Sequence, residues 1–218
     1  NCHQCWEAEA GGLRSARMHA NDTWLSKLDP TLDQPQLITL KPGNGCNLKC
    51  RTCTPWISNQ WYKDFYLGNY YPDGKVTDYK QFMQIFEHTR QSWKSSNSLV
   101  WDWLDTWAEK VVFWDLYGGE PTISVKLWDF FEEKSTLGYI NNYHIHLNTN
   151  GTVYSDKYEN LIKQFKSVQL DISIDGIGPV NEYQRYPFTW QKVLTQFERL
   201  KQISKEKNYY IGLSHTIT

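Results

Sequence analysis

The sequence predicts an α/β fold whose parallel sheet forms a partial (β/α) barrel. Three observations support this class. Short apolar runs alternate with helical patterns from residue 111 onward, each run ends in a polar or glycine-rich turn, and a further apolar run leads into a cysteine-rich loop. Repeated βα units with apolar strands form a parallel sheet that helices cover, and right-handed crossovers curl that sheet. The pattern contains about five strands, fewer than the eight of a closed barrel.

The predicted elements follow from apolar periodicity and from the turn residues between them. We predict strands over residues 36–41, 111–117, 143–147, 168–174 and 209–217. We predict helices over residues 79–92, 100–110, 125–134, 156–165 and 188–205, and one that begins at Thr23 after an Asn-Asp cap.

The same pattern divides the chain into two parts. Residues 35–218 are expected to form the core domain, with a tryptophan-rich insertion at about 56–110. Residues 1–34 form a separate segment that carries Cys2 and Cys5. A C-x2-C pair in this position is either half of a metal site or simply two cysteines.

Composition excludes several classes of function. The net charge of −1 provides no basic surface for nucleic acid or for an anionic membrane. No apolar stretch reaches the length of a membrane span. The five cysteines do not form an even-numbered scaffold pattern, so we expect reduced thiols and a cytoplasmic protein.

The loop from residue 43 to residue 55 is the main candidate for chemistry. Cys46, Cys50 and Cys53 have the spacing C-x3-C-x2-C, which leaves one thiol over after any disulfide. Three thiolates from one loop suit a cubane [4Fe–4S] cluster, in which each thiolate takes one iron and the fourth iron stays open. A closed zinc site is the alternative, and it needs a fourth ligand from elsewhere.

Polar residues occupy alternate positions at the ends of two predicted strands. They are His144, His146, Asn148 and Asn150 in one strand, and Asp171, Ser173 and Asp175 in the next. Because alternate residues share a face of a strand, we expect them to face the interior of the curved sheet. Such an interior is wet or holds a ligand; an internally satisfied network is the alternative for the two histidines.

Taken together, these motifs resemble the radical S-adenosylmethionine (radical SAM) enzymes. The resemblance covers residues 36–218. It rests on the cysteine triplet after the first strand, Gly-Gly-Glu-Pro at 118–121, Thr-Asn-Gly at 149–151 and Ser-Ile-Asp-Gly at 173–176. Residues 181–185 and the Cys2-x2-Cys5 segment look most like the branch with SPASM or twitch auxiliary-cluster domains.

The resemblance implies a reaction and a set of partners. Cys46, Cys50 and Cys53 would hold a [4Fe–4S] cluster that reductively cleaves SAM to a 5′-deoxyadenosyl radical. An external donor of the flavodoxin or ferredoxin type would supply the electron, and the substrate would be a peptide, a protein or a small molecule. Cys2 and Cys5 would belong to an auxiliary cluster.

The resemblance also implies the SAM contacts. The residues are Gly118, Gly119, Glu120, Pro121, Asn150, Ser173, Asp175 and Arg185. The backbone of 118–121 would meet the amino group of SAM, and Arg185 would pair with its carboxylate.

Two positions depart from the family pattern. Thr52 stands where an aromatic residue usually precedes the third cysteine, and no sixth strand follows the fifth. We therefore expect a piece truncated at both ends. Two other functions remain open at this point: a zinc-binding structural or interaction module, and a degenerate protein that keeps the fold without turnover.

Overall fold

The computed structural model describes residues 3–68, 78–86, 99–153, 155–207 and 209–216. The strands are Leu37–Leu40 (β1), Lys49–Cys50 (β2), Phe113–Leu116 (β3), His144–Thr149 (β4), Ser167–Ser173 (β5), Arg185–Tyr186 (β6) and Tyr209–Ser214 (β7). Five of them form one parallel sheet in the order β1-β3-β4-β5-β7, and β2 pairs with β6 in a separate antiparallel ribbon.

The helices connect these strands and flank them. They are His3–Ala10 (α1), Ala16–Trp24 (α2), Tyr62–Leu67 (α3), Tyr79–Ile85 (α4), Leu99–Trp107 (α5), Val125–Thr136 (α6), Asp156–Ile162 (α7), Pro179–Gln184 (α8) and Trp190–Glu206 (α9). Short 3₁₀ turns follow α2 and α5 and lie at 59–61, 121–123 and 139–142. Among the described residues, none of these helices combines the length and apolarity that crossing a bilayer requires.

The predicted fold class is confirmed, because all five predicted strands are present and lie parallel in one sheet. The predicted helix over 79–92 is described as far as Ile85, and residues 87–98 lie outside the described part. The helix predicted from Thr23 is wrong. Ser15 caps α2 by accepting from the Met18 N–H at 3.0 Å, and Thr23 lies in the last turn, where its hydroxyl donates to the His19 carbonyl.

Alternation along the strands produces one apolar and one polar face. Trp114, Leu116, Leu147 and Leu170 are at most 2% exposed and pack in the main core beneath α5, α6 and α7. This face contributes most of the burial that stabilises the sheet.

The opposite face carries the predicted polar residues, which are half-buried except for the buried Asn150. His146 of β4 bridges its neighbours: Nδ1 lies 2.9 Å from Asp115 of β3, and Nε2 lies 2.9 Å from Asp171 of β5. The internally satisfied network expected as the alternative is therefore what His146 shows. His144 of β4 likewise contacts the Ser167 hydroxyl of β5.

Candidate active site

The cysteine loop lies beyond the carboxyl end of β1, where parallel sheets place their chemistry. Cys46 and Cys50 are buried and Cys53 is partly buried, and they pack with Leu48 and Phe188. The backbone N–H of Leu48 donates to Cys46 Sγ at 3.4 Å. The loop therefore presents three thiols in one small, largely apolar environment.

A segment directly after the loop holds its backbone in place. Ser58, Gln60 and Trp61 donate side-chain hydrogen bonds to the carbonyls of Leu48, Cys46 and Cys50 at 2.6, 3.0 and 2.9 Å. Sequence reasoning missed these residues, since nothing in a Ser-Asn-Gln-Trp run shows which distant carbonyl each side chain reaches. We call residues 58–61 the latch.

The Gly118-Gly119 turn approaches the cysteine loop more closely than any other residue type allows. Gly119 has φ of +55°, and a Cβ built on it would lie 2.3 Å from the Gly45 carbonyl oxygen. The next residue, Glu120, donates its backbone N–H to that same oxygen at 2.8 Å. The glycines therefore allow the close contact between the turn and the loop. This role is separate from any contact that the turn makes with a ligand.

Glu120 is 2% exposed, and protein groups donate hydrogen bonds to its carboxylate. One oxygen accepts from the Thr122 backbone and hydroxyl and from the Thr149 hydroxyl; the other accepts from the Asn150 N–H at 2.7 Å. Burial raises the pKa of Glu120, and these hydrogen bonds oppose the rise. The side chain joins two strand-end turns, which assigns it a positioning role in this arrangement. Pro121, directly after it, is buried and accepts from the Trp128 indole.

Asn150 reaches from the end of β4 to the cysteine loop. Its amide nitrogen donates to Asn47 Oδ1 at 2.8 Å and lies 3.9 Å from Cys46 Sγ. Asn47 in turn donates to the Thr152 hydroxyl at 2.6 Å. Asn47 and Thr152 were also missed; the placement of Asn47 between the first two cysteines was the one available signal.

Arg185 is brought beside the cysteines by the β2–β6 ribbon, in which it pairs with Cys50. Its guanidinium makes a two-point contact with Asp175, with Nε 2.8 Å from Oδ2 and Nη2 2.9 Å from Oδ1. The remaining nitrogen, Nη1, lies 3.9 Å from Cys50 Sγ. Two residues predicted to contact SAM separately thus form one buried ion pair. Ser173, also predicted there, is half-buried at the end of β5.

The three thiols differ in acidity. The side-chain contact between Cys50 and Cys53 is the largest cause that raises the pKa of Cys50, and burial adds to that rise; the same contact is the largest cause that lowers the pKa of Cys53. Burial raises the pKa of Cys46.

The donor set fits a [4Fe–4S] cluster. Each thiolate of such a cluster takes a different iron, so the sulfurs need not converge on one point. The N–H groups of Asn150 and Arg185 near two of the sulfurs are the kind of neighbours that stabilise bound thiolates. Within the described ranges, no three His, Cys, Asp or Glu side chains are placed around a single metal ion.

The N-terminal cysteines lie apart in the chain from this loop. Cys5 is on α1, half-buried and free of any disulfide. Cys2 lies outside the described residues. An auxiliary cluster at Cys2 and Cys5 stays a prediction.

Three solved structures are similar to this chain. SuiB of Streptococcus suis, bound to its precursor peptide SuiA, matches with TM-score 0.50 and 13% identity over 93% of this chain and 38% of its own. TsrM of Kitasatospora setae, a radical SAM methyltransferase with cobalamin and a [4Fe–4S] cluster bound, matches with TM-score 0.49 and 15% identity over 82% and 30%. The native protein anSMEcpe with bound AdoMet matches with TM-score 0.48 and 17% identity over 82% and 44%.

At 13% identity the likeness to SuiB concerns the fold alone. The chain spans less than half the length of each of these three proteins. A sequence search against curated proteins finds no significant match. The family model described as the Radical SAM superfamily matches residues 40–216, a span that contains the cysteine loop and the strand ends gathered around it. The chain therefore belongs to the radical SAM superfamily.

Proposed function

We propose that this chain is the core of a radical SAM enzyme that binds a [4Fe–4S] cluster through Cys46, Cys50 and Cys53. When bound, the cluster and SAM supply reductive cleavage of the sulfonium C–S bond, which yields methionine and a 5′-deoxyadenosyl radical. One observation carries the proposal: a three-cysteine loop is hydrogen-bonded to the turns that follow β3 and β4. Those turns present backbone groups beside the thiols, where a ligand of the cluster has to lie.

The chain's own residues have two kinds of role in this proposal. The backbone of residues 118–121 binds the SAM amino group, and Asn150 and Ser173 line the site at the ends of β4 and β5. Glu120 and Asp175 act as positioning residues, because protein groups occupy their carboxylates. Arg185 keeps Nη1 directed toward the cysteine side, so it binds the SAM carboxylate while Asp175 holds its other edge.

We propose a peptide or protein substrate and a place in the SPASM/twitch branch. Residues 181–185 and the Cys2-x2-Cys5 segment support the branch, with an auxiliary cluster on the N-terminal cysteines. The shared fold with SuiB, a protein bound to a precursor peptide, supports the substrate class. The half-buried polar face of the sheet provides the surface on which such a substrate lies beside SAM.

The test is anaerobic reconstitution of the full-length protein with iron and sulfide. We expect about four irons per site, and 5′-deoxyadenosine release with dithionite and SAM. Replacing the three cysteines by alanine should remove both the iron and the product. The matched control is Cys5→Ala, which should keep this cluster.

Two results would contradict the proposal in different ways. One equivalent of zinc without iron or sulfide would favour the zinc module. A loaded cluster that binds SAM without releasing 5′-deoxyadenosine would favour the degenerate protein.

A further inference from the structure

A surface groove of about 320 Å³ lies beside the cysteine loop. Its walls come from the β2–β6 ribbon, the latch, α3 and α8, and the lining residues are Lys49, Arg51, Trp61, Asp64, Tyr183 and Tyr186. None of the described residues that line it belongs to the five-stranded sheet. The groove is therefore a different surface from the polar face on which we place the substrate.

The groove is positively charged at its rim. The Arg51 guanidinium lies 3.7 Å from the centre of the Tyr183 ring, and its Nε donates to the Tyr183 carbonyl at 3.3 Å. Among the described residues no carboxylate pairs with Arg51, which is exposed. Lys49 is neutralised by Asp64, with Nζ 2.8 Å from Oδ2. Arg51 therefore contributes a net positive charge held in a fixed place by the tyrosine.

The groove also exposes aromatic surface. Tyr183 and Tyr186 are 58% and 59% exposed. Aromatic residues and arginine are enriched in protein–protein interfaces, where the rim supplies charge and the rings supply contact area. This combination fits a transient protein partner better than a small ligand.

The groove is next to a cluster ligand. Lys49 and Arg51 are the chain neighbours of Cys50, and the Trp61 indole in its wall donates to the Cys50 carbonyl at 2.9 Å. Cys50 itself is 4% exposed. A partner that docks in the groove therefore contacts residues that are joined directly to Cys50: Lys49 and Arg51 by a peptide bond each, and Trp61 by a hydrogen bond.

We propose that this groove docks an acidic one-electron donor protein of the flavodoxin or ferredoxin class, whose surface carboxylates meet Arg51. The inference rests on the proposed function and adds the surface by which the electron arrives. On each encounter the donor is oxidised by one electron and the cluster is reduced by one. Charge complementarity of this kind governs the rate of encounter and its salt dependence.

The test measures binding separately from turnover. The immobilised, cluster-loaded full-length protein is titrated with a reduced flavodoxin in low and in physiological salt. Arg51→Glu should weaken binding about tenfold at low salt and flatten the salt dependence. The matched control is Lys166→Glu, the same change in charge at an exposed residue that directly precedes β5, at the amino end of the strands and so away from the cysteine loop; it should bind like the wild type.

Turnover provides the second readout. Arg51→Glu should lower the flavodoxin-supported rate of 5′-deoxyadenosine formation about tenfold relative to the dithionite-supported rate of the same preparation. Dithionite is small and needs no docking surface, so this ratio corrects for any change in cluster content.

Equal flavodoxin affinity for the wild type and Arg51→Glu would overturn the docking proposal and leave the groove to another occupant, such as a peptide. An equal loss in both Arg51→Glu and Lys166→Glu would also overturn it, because the effect would then be one of net charge. Absence of product with dithionite in every variant would overturn the proposed function, and the binding titration would still decide on docking.

Discussion

At the scale of single residues, the site depends on backbone atoms that approach one another too closely for side chains. Gly119 is the clearest case, since both its positive φ and the nearby Gly45 carbonyl exclude a Cβ. Gly138 has a similar φ of +80° but nothing within 4 Å of its built Cβ. The two glycines therefore separate conformational strain from steric clash.

We expect Gly138→Ala to lower the free energy of unfolding by about 1–2 kcal/mol, the cost of a left-handed backbone for an L-residue. Gly119→Ala should cost at least about 1 kcal/mol more, because the loop carrying Gly45 has to move. Urea unfolding of the metal-free protein measures both. Equal losses would show that the contact with Gly45 adds nothing.

Glu120 provides a second test at this scale. Each carboxylate oxygen accepts a backbone N–H, one from Thr122 and one from Asn150. In Glu120→Gln, either orientation of the amide places an NH₂ group against a backbone N–H, the part-buried one of Thr122 or the buried one of Asn150. We expect a loss of about 1–3 kcal/mol of unfolding free energy, measured by urea titration. The exposed control Glu198→Gln should change it by less than about 0.5 kcal/mol.

At the scale of elements, the latch decides how well the cysteine loop is ordered. Ser58 is 1% exposed and donates to the Leu48 carbonyl within the loop. We expect Ser58→Ala to speed hydrogen exchange of the loop amides by about tenfold, which corresponds to about 1.4 kcal/mol of local opening free energy. Exchange followed by mass spectrometry over residues 44–53 measures this.

The control for the latch is Ser204→Ala on α9. That serine makes the same type of bond, to the Lys201 carbonyl three residues earlier in its own helix. Its loss should leave exchange in the cysteine loop unchanged. If both variants accelerate the loop equally, the latch has no specific role.

The elements also show what sequence reasoning can reach. The parallel strands were predictable because apolar alternation and strand-end turns are local signals. The motifs at 118–121, 149–151 and 173–176 were predictable for the same reason, since each lies at the end of a strand. The partners within the site were not. Arg185 and Asp175 each suggest a ligand contact in the sequence, and only the folded ribbon shows that they pair with each other.

The helix predicted at Thr23 failed for a related reason. Asn21 and Asp22 have the composition of a cap, but Ser15 occupies the cap position and the Asn-Asp pair lies inside the helix. Composition alone does not distinguish two candidate caps on the same short segment.

At the scale of the whole molecule, the sheet is joined across its polar face as well as through its core. His146 connects three neighbouring strands through Asp115 and Asp171, with Thr39 donating to Asp115 and Gln169 to Asp171 on the same face. The hydrogen bond to Asp115 is the largest cause that raises the pKa of His146, burial opposes it, and Asp171 adds to the rise. The protonated imidazole therefore stabilises the folded sheet.

His144 lies two residues earlier on the same strand, and its pKa shifts in the opposite direction. Burial lowers its pKa, and Lys166 and Lys27 add to the effect. A group whose pKa is higher in the folded state stabilises below its unfolded pKa and loses that contribution as pH rises through the folded pKa. A group whose pKa is lower contributes above its unfolded pKa and loses the contribution as pH falls through the folded pKa.

The two histidines therefore predict opposite pH dependences from one strand. The difference in unfolding free energy between wild type and His146→Asn should be larger at pH 5.5 than at pH 8.5, because only the wild type gains the imidazolium between the two carboxylates. The corresponding difference for His144→Asn should shift the other way, since the wild type must keep a neutral imidazole there. Urea titrations of the metal-free protein at both pH values measure the differences. The same sign of shift for both variants would contradict the assignment of the charged histidine to position 146, and with it the view that an ion-paired network ties β3, β4 and β5 together from the polar side.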